Sequence, residues 1–282
     1  MLNQYHKELD EFYGVDEVDS FFYLLTDHYL GINRLTLALK PDFTIGTSQK
    51  ERFLDWLSRL KFEEPIQYII GETEFFGLTF KVNTHSLIPR PETEELVQWI
   101  IDKVDLKINP LKILDVGTGS GCIAITLAKY LPNVKVYALD VSVDVLNLAK
   151  ENARLNKVDV TFIELDILSV NHPVIDAESN FDIIVSNPPY VRQAERTKMK
   201  NNVLKYEPDV ALFVTDDNPL QFYEAITKFS VNNLNKNGML FFEINQYLGN
   251  DMKALLAKQN FNNIELKKDM FGNDRMIKGI KI

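Results

Sequence analysis

Apolar residues at the start of the chain recur at the three- and four-residue spacing of helices. Members of this pattern are Phe21, Leu24, Leu25, Leu35 and Leu39, and the spacing places them on core-facing helix surfaces. Ser48-Gln49-Lys50-Glu51 has the form of a capping box and predicts a helix that runs through Leu60. Pro65 and Gly71 predict the start and the end of one more short helix. We therefore predict a small helical bundle over residues 1–72.

The hydrophobic period changes between residues 73 and 90. Apolar and polar residues alternate around Gly77 from Phe75 to Val82, as they do in a β-hairpin. We predict that segment 73–90 is a β-hairpin linker between the bundle and the rest of the chain. Pro91 then suits the first turn of a helix, and the acidic residues that follow suit the positive end of its dipole.

Beyond residue 110, apolar β-branched runs alternate with helical patterns. The predicted strands are Lys112 to Val116, Lys135 to Leu139, Asp159 to Leu165 and Phe181 to Ser186, and the predicted helices between them are Cys122 to Lys129 and Val143 to Asn156. This alternation is typical of an α/β fold, in which a mostly parallel sheet is covered on both faces by helices. The length of 282 residues agrees with two domains, the second covering residues 91–282.

Composition narrows the classes of function. With 31 basic and 40 acidic residues the net charge is -9, which argues against stable binding to exposed nucleic-acid backbone. The single cysteine, Cys122, cannot form an internal disulfide. No secretory signal and no long apolar run are evident, so we expect a cytoplasmic protein that does not bind membranes.

Histidine placement gives no support for a metal site. His6, His28, His85 and His172 lie far apart in the sequence, without metal-ligand spacing and without cysteine partners. We expect scattered surface histidines or histidines with ordinary hydrogen-bond partners, and no catalytic metal.

The segment Asn187-Pro188-Pro189-Tyr190 ends the predicted strand at Ser186. Neither proline has an N–H, and each proline forces the residue before it into extended geometry, which makes a rigid elbow. Such an elbow suits a substrate NH2 group. The side-chain oxygen of Asn187 would accept one hydrogen and the carbonyl of Pro188 the other, with the Tyr190 ring as a wall. A proline-rich turn that merely closes a buried strand is the alternative.

A glycine loop follows the first strand of the second domain. Its residues are Gly117, Thr118, Gly119, Ser120 and Gly121, and such a loop lets backbone approach a ligand closely at the N-terminus of a helix. Asp140 ends the next strand about 20 residues later, where a carboxylate accepts hydrogen bonds from ribose hydroxyls. Together these features indicate a nucleoside cofactor. For Asp140 alone, a helix cap is the alternative.

The spacing of the loop favours one cofactor. Asp115-x-Gly117-x-Gly119-x-Gly121 is tighter than the dinucleotide pattern and carries a leading acid, as in S-adenosylmethionine enzymes. Asp166 and Ile167 follow the third strand and can reach the edge and the face of an adenine. Asp140, Asp166 and Asn187 then share the carboxyl edge of one sheet, where such folds bind ligands. Asn187 is therefore also a candidate cofactor contact.

The chain resembles the protein-(glutamine-N5) methyltransferases of peptide chain release factors, the HemK family, from about Pro65 to its end. The residues that carry the resemblance are Pro65-Ile66-Gln67-Tyr68, Gly71, Phe75 to Gly77, Ile88-Pro89-Arg90-Pro91-Glu92-Thr93-Glu94, Asp115 to Gly121, Ile123-Ala124, Asp140, Asn187 to Tyr190, Glu207-Pro208, Ala211-Leu212, Phe242-Glu243-Ile244, Asp269, Gly272, Asp274 and Arg275. Two positions depart from the family pattern, since Asn245 stands where glycine is expected and Ile167 where some relatives carry an aromatic residue.

The resemblance implies a Rossmann-like, seven-stranded S-adenosylmethionine-dependent methyltransferase domain. Its reaction would move a methyl group to the side-chain amide of the glutamine in the Gly-Gly-Gln loop of class I release factors. Asn187 and Pro188 would be catalytic, and Pro189, Tyr190, Arg90 and Glu92 would also contact the substrate. Capping of the helix at Pro91 is an alternative reason for the acidic residues there. We expect a monomer.

Two other functions fit parts of the sequence. An adenine N6-methyltransferase acting on DNA or RNA uses the same elbow on an exocyclic NH2, but it must extrude the base and hold a polyanion. A non-catalytic binding module is the second alternative, although the intact glycine loop, Asp140 and Asn187 argue against it. For the N-terminal bundle, a docking surface for a substrate protein and a structural cap are equally compatible with the sequence.

Overall fold

A computed structural model describes residues 1–40, 42–104, 110–169 and 180–282. The chain divides into two compact units, the first made of Met1–Glu72 and Lys200–Tyr206 and the second of Thr73–Met199 and Glu207–Ile282. The helices of the first unit are α1 (Leu2–Tyr13), α2 (Val15–Leu30), α3 (Arg34–Leu39), α4 (Thr47–Lys61), α5 (Ile66–Ile70) and α9 (Asn201–Tyr206). The sequence pattern did not assign segment 200–206 to the helical part of the chain.

Aromatic and leucine side chains from α1, α2 and α4 form the core of the first unit. Tyr5, Phe21, Leu25 and Phe53 are buried there, and the Tyr5 hydroxyl donates to the Phe53 carbonyl at 2.7 Å. The predicted apolar pattern is only partly right, because Leu24, Leu35 and Leu39 are exposed. The short helix α3, which carries the last two, buries none of its residues.

The start of α4 differs from the predicted capping box at Ser48. The cap is Gly46, whose extended backbone lets its N–H donate to Oε1 of Gln49 at 2.9 Å. Ser48 is therefore the second residue of the helix. The reciprocal bond of a full capping box needs a side-chain oxygen that glycine lacks.

A seven-stranded sheet is the centre of the second unit, as predicted. Its order is β10-β11-β9-β6-β3-β4-β5, and its strands are β3 (Leu111–Val116), β4 (Val134–Asp140), β5 (Val160–Glu164), β6 (Phe181–Ser186), β9 (Leu234–Glu243), β10 (Phe261–Lys268) and β11 (Asp274–Lys281). β3 pairs in parallel with β4 and β6, and β6 pairs in parallel with β9. β11 runs antiparallel to both of its neighbours.

Helices cover both faces of this sheet. They are α6 (Pro91–Lys103), α7 (Cys122–Tyr130), α8 (Val143–Asn156), α11 (Gln221–Asn233) and α12 (Gly249–Lys258). Neighbouring strand residues point to opposite faces, so Ile183 joins the core with Trp99 of α6 while Ile184 joins the core with Tyr223 of α11. Smaller elements are β7 (Val191–Arg192), a 3₁₀ helix (Gln193–Lys198), α10 (Asp209–Leu212) and β8 (Phe213–Val214).

The predicted hairpin consists of β1 (Glu72–Phe75) and β2 (Leu78–Lys81). Phe76 and Gly77 both have positive φ, at 54° and 73°, which is the conformation of a two-residue type I′ turn. Phe75 and Phe80 are buried in the core of the second unit. The hairpin is thus part of that unit's packing.

In the part of the chain that the structure describes, no helix combines the length and the apolar character needed to cross a membrane.

Candidate active site

A cavity of about 520 Å³ opens at the carboxyl ends of the parallel strands. The chain reverses its direction of strand addition between β3 and β6, and α/β sheets bind ligands at such a switch point. The loop after β3 and the elbow after β6 both line the cavity. Its volume lies within the range of small-molecule sites, about 300–1,000 Å³.

The glycine loop forms one wall of the cavity. Gly117, Gly119 and Gly121 have φ of 72°, 55° and 85°, a region that other residues rarely adopt. A side chain on Gly117 or Gly119 would meet no protein atom within 4 Å, whereas a Cβ on Gly121 would come within 2.7 Å of Ile125 Cδ1. The first two glycines leave room for a ligand, and Gly121 permits close packing of α7.

Asn152 of α8 supports the glycine loop from behind. Its Nδ2 donates to the Ser120 carbonyl at 2.8 Å and to the Lys81 carbonyl at 3.0 Å. Its Oδ1 accepts the Lys81 N–H at 2.7 Å. Because this amide is fully buried and satisfied on both sides, it fixes the loop against the hairpin.

Asp140 ends β4 at the edge of the cavity. Its Oδ2 accepts the Gly119 N–H and its Oδ1 accepts the Ser142 N–H, both at 3.1 Å. The cap of α8 is Ser142, whose hydroxyl accepts the Val145 N–H, so Asp140 is not the cap of that helix. A carboxylate offers about four acceptor positions, which leaves lone pairs for a ligand. Burial raises the pKa of Asp140.

The other predicted cofactor residues follow β5. Leu165 and Ile167 are buried and Asp166 is exposed, and all three line the cavity. The Asp166 Oδ1 accepts the Leu168 N–H at 2.9 Å, which orders the turn. The wall therefore combines an apolar surface with one carboxylate at the rim.

Two titratable groups lie beneath the glycine loop. Asp115 is fully buried and accepts the Thr118 hydroxyl at 2.6 Å, and burial raises its pKa to about 7. Burial, with a further contribution from Asp115, raises the pKa of Cys122 to about 12. The Cys122 thiol is therefore protonated at neutral pH and is a poor nucleophile.

The elbow after β6 contributes Asn187, Pro188 and Pro189 to the cavity wall. The Ser186 hydroxyl donates to the Val116 carbonyl at 2.6 Å and ties the end of β6 to β3. The Asn187 Nδ2 donates to Thr93 Oγ1 at 3.1 Å.

Tyr190 packs against the core on the α11 side of the sheet. The Tyr190 hydroxyl donates to Glu243 Oε1 at 2.9 Å, and burial raises the pKa of Tyr190. Its predicted role as a wall of the substrate slot stays a prediction, since the described lining residues of the cavity do not include it. The same holds for Gly121 as a cofactor contact.

Arg90 lines the cavity and forms an ion pair with Glu207, which is 5% exposed. The second oxygen of Glu207 accepts the Ile88 N–H at 3.2 Å. Glu207 thus fixes the segment that leads into α6. Glu92 is half-buried in the first turn of that helix, and its contact with substrate stays a prediction.

Asn245, where glycine was expected, is buried and organises the loop after β9. Its Nδ2 donates to the Tyr190 carbonyl at 3.1 Å and to Glu195 Oε2 at 3.1 Å. Its Oδ1 accepts the Tyr247 N–H at 3.0 Å. This asparagine therefore ties the loop to the elbow through its side chain.

Four residues that organise this site had no role predicted from the sequence, namely Thr93, Asn152, Glu207 and Glu243. One available signal was the position of Glu243, which ends a buried strand at the ligand-binding edge as Asp140 does. His85, grouped with scattered histidines, lines the cavity, and His172 lies outside the described residues. Across residues 1–40, 42–104, 110–169 and 180–282, no cluster of three His, Cys, Asp or Glu side chains is placed to hold a metal ion.

Comparison with known proteins gives matches over most of the chain. The family model of the PrmC N-terminal domain matches residues 1–71, and that of the methyltransferase small domain matches residues 96–209. A release factor glutamine methyltransferase of Flavobacterium psychrophilum is 53% identical over 98% of this chain and 96% of its own length. A protein of the same name from Bacteroides thetaiotaomicron is 41% identical over 96% and 95%.

A solved structure supports the fold. The 16S rRNA N2 G1207 methyltransferase of T. Thermophilus, in complex with AdoMet and guanosine, matches with a TM-score of 0.53 at 16% identity. The match covers 75% of this chain and 50% of that one.

Proposed function

Because this chain belongs to the release factor glutamine methyltransferases, we propose that Asn187 and Pro188 hold the side-chain amide of a release-factor glutamine for methylation. The enzyme transfers a methyl group from S-adenosylmethionine to N5 of that glutamine, in the Gly-Gly-Gln loop of class I release factors. One observation carries the assignment of residues: Asn187 lines the same cavity as Gly117, Gly119 and Asp140. A donor held by the glycine loop and an amide held by the elbow would share one space.

The residues around the cavity fit S-adenosylmethionine. Gly117 and Gly119 leave open space beside their backbone, which suits the polar end of the cofactor. Asp140 has free lone pairs for ribose hydroxyls, and Ile167 offers an apolar face for adenine with Asp166 at its rim. When bound, the cofactor supplies an electrophilic methyl group on a sulfonium.

An amide nitrogen is a poor nucleophile because its lone pair is delocalised into the carbonyl. The site must therefore hold that nitrogen in line and favour the positive charge that develops on it. Hydrogen bonds from the substrate NH2 to Asn187 Oδ1 and to the Pro188 carbonyl do both. The protonated Cys122 thiol takes no part as a nucleophile.

Recognition of one glutamine among many needs contacts beyond the amide. For the first unit we propose a docking surface for intact release factor, with Leu35 and Leu39 as its exposed apolar residues. Engagement of such a surface raises the effective concentration of the Gly-Gly-Gln loop at Asn187. A purely structural role is the alternative outcome of the test described in the Discussion.

The function is tested in three separate reactions, each of which contains the purified protein and labelled S-adenosylmethionine. The substrate is release factor in the first, DNA in the second and RNA in the third. We expect label only in release factor, and mass spectrometry should place one added methyl group on the glutamine of Gly-Gly-Gln. A release factor in which that glutamine is replaced is the matched control. Label that appears in adenine of nucleic acid, and not in release factor, would overturn the assignment.

A further inference from the structure

A chain of buried hydrogen bonds runs from the elbow into the protein. Asn187 Nδ2 donates to Thr93 Oγ1 at 3.1 Å, and the Thr93 hydroxyl donates to Glu243 Oε2 at 2.6 Å. The other oxygen of Glu243 accepts the Tyr190 hydroxyl at 2.9 Å. Thr93 is 2% exposed and Glu243 is 1% exposed, so water does not compete strongly for these bonds.

Counting hydrogens fixes the direction of this chain. A threonine hydroxyl has one hydrogen, and Thr93 gives its hydrogen to the Glu243 carboxylate. The Thr93 oxygen therefore offers only lone pairs to Asn187. An amide carbonyl placed there would meet another acceptor, so the NH2 end of Asn187 must face Thr93 and Oδ1 must take the other side of the amide plane.

We propose that Thr93 is a positioning residue that, held by Glu243, fixes the Asn187 amide with Oδ1 available to the NH2 of the substrate. This inference rests on the proposed function, because it concerns the atom that binds the glutamine. The two ends of the Asn187 amide are nearly equal in shape, and loss of the Thr93 oxygen removes a hydrogen bond that distinguishes them. A rotated amide presents an NH2 to the substrate NH2, and two donors repel.

Groups from several elements surround Glu243 and keep its carboxylate in the role of a hydrogen-bond acceptor. Thr93 of α6 and Tyr190 of the elbow donate to its two oxygens, and Arg275 of β11 supplies positive charge while Glu92 of α6 supplies negative charge. Tyr223 of α11 donates to the Glu243 backbone carbonyl at 3.2 Å. Burial raises the pKa of Glu243, and the bonds from Thr93 and Tyr190 act against that rise.

The orientation of the Asn187 amide also affects which peptide binds, independently of catalysis. A Gly-Gly-Glu peptide presents a carboxylate, which only accepts hydrogen bonds, where a Gly-Gly-Gln peptide presents an NH2. An Asn187 amide fixed with Oδ1 toward the substrate therefore favours the glutamine peptide. An amide free to rotate discriminates less, because its NH2 can then serve the carboxylate.

The experiment measures the affinities of both peptides for the full-length protein at neutral pH with S-adenosylhomocysteine present. For Thr93→Val, which keeps the shape and removes the hydroxyl, we expect the preference for the glutamine peptide to fall about tenfold. Thr93→Ser should retain it, and Glu243→Leu should lower it, because a Thr93 hydroxyl without the Glu243 acceptor is free to donate to Asn187 Oδ1 and turn that oxygen away from the substrate. In an Asn187→Ala background, Thr93→Val should change the preference no further.

Cofactor affinity and the thermal midpoint are measured for every variant, so that a folding defect is recognised. If one of Thr93→Val and Glu243→Leu does not fold, the other decides. An unchanged preference in a folded variant overturns the positioning role while leaving the methyltransferase function intact. Failure of the proposed function is seen separately, as a wild-type protein that neither methylates release factor nor binds the glutamine peptide.

Discussion

The backbone N–H of Gly119 donates to Oδ2 of Asp140 at 3.1 Å. This bond joins the glycine loop after β3 to the end of β4, so the carboxylate that we propose for the ribose also holds the loop. The second oxygen of Asp140 holds the Ser142 N–H at the start of α8. Asp140 therefore holds the glycine loop and the start of α8 in fixed positions relative to each other.

Replacing Asp140 with alanine should weaken S-adenosylmethionine binding by roughly 1–3 kcal/mol, because charge-assisted bonds to the ribose are lost. Isothermal calorimetry measures this change. Asp144→Ala is the matched control, since Asp144 is an exposed acid in the first turn of α8 and should leave the affinity unchanged. Unchanged cofactor affinity in a folded Asp140→Ala protein would restrict Asp140 to a structural role.

Replacing Asn187 with alanine should lower the rate of methyl transfer on the order of 100-fold or more, because a hydrogen bond made in the transition state is lost. Cofactor affinity should stay close to that of the wild type. Single-turnover kinetics with saturating cofactor separates the two effects. Near-normal turnover would show that the elbow does not hold the reacting amide.

Asp115 predicts a pH dependence of stability. Its pKa is about 7 in the folded protein and about 3.9 in an unfolded chain, so between these values the folded state binds more protons. The free energy of unfolding should then fall as pH rises through this window. In Asp115→Asn that fall should be smaller, by up to about 4 kcal/mol across the whole window. Urea unfolding at several pH values measures it, and parallel pH profiles for both proteins would contradict the prediction.

The docking surface proposed for the first unit is tested by introducing charged residues on α3. Leu35→Glu combined with Leu39→Glu should lower kcat/KM on intact release factor at least about fivefold, while a short Gly-Gly-Gln peptide is methylated as before. The fold should survive, because α3 buries none of its residues. Leu155→Glu on α8 is the control, since this leucine is 45% exposed in the second unit. Equal rates on intact release factor would favour a structural cap.

Local pattern predicted four of the seven strands of the sheet, β3 to β6, each to within one residue at either end. The helix Val143–Asn156 and the strand Phe181–Ser186 have the predicted bounds, because a serine cap and two prolines mark their ends by backbone chemistry. The glycine loop and Asp140 were placed equally well for the same reason. The sequence predicts the ends of helices and strands where residues with strong backbone preferences mark them.

The sequence did not predict burial or side-chain contacts that depend on residues far away in the chain. Leu35 and Leu39 have helical spacing, yet spacing does not say whether another element arrives to cover them. The bond between Thr93 and Glu243 joins positions 150 residues apart, and only the parallel pairing of β6 with β9 brings the latter beside Asn187. Helix α9 likewise belongs to the first unit although more than 120 residues of the second unit separate it from Glu72 in the sequence.

The burial of Cys122 makes the protein convenient for spectroscopy. It is the one cysteine in the sequence, and burial raises the pKa of its thiol to about 12, so very little thiolate is present at neutral pH and thiol reagents react with it slowly. A cysteine introduced at an exposed site can therefore carry a fluorophore or a spin label without removal of the native residue.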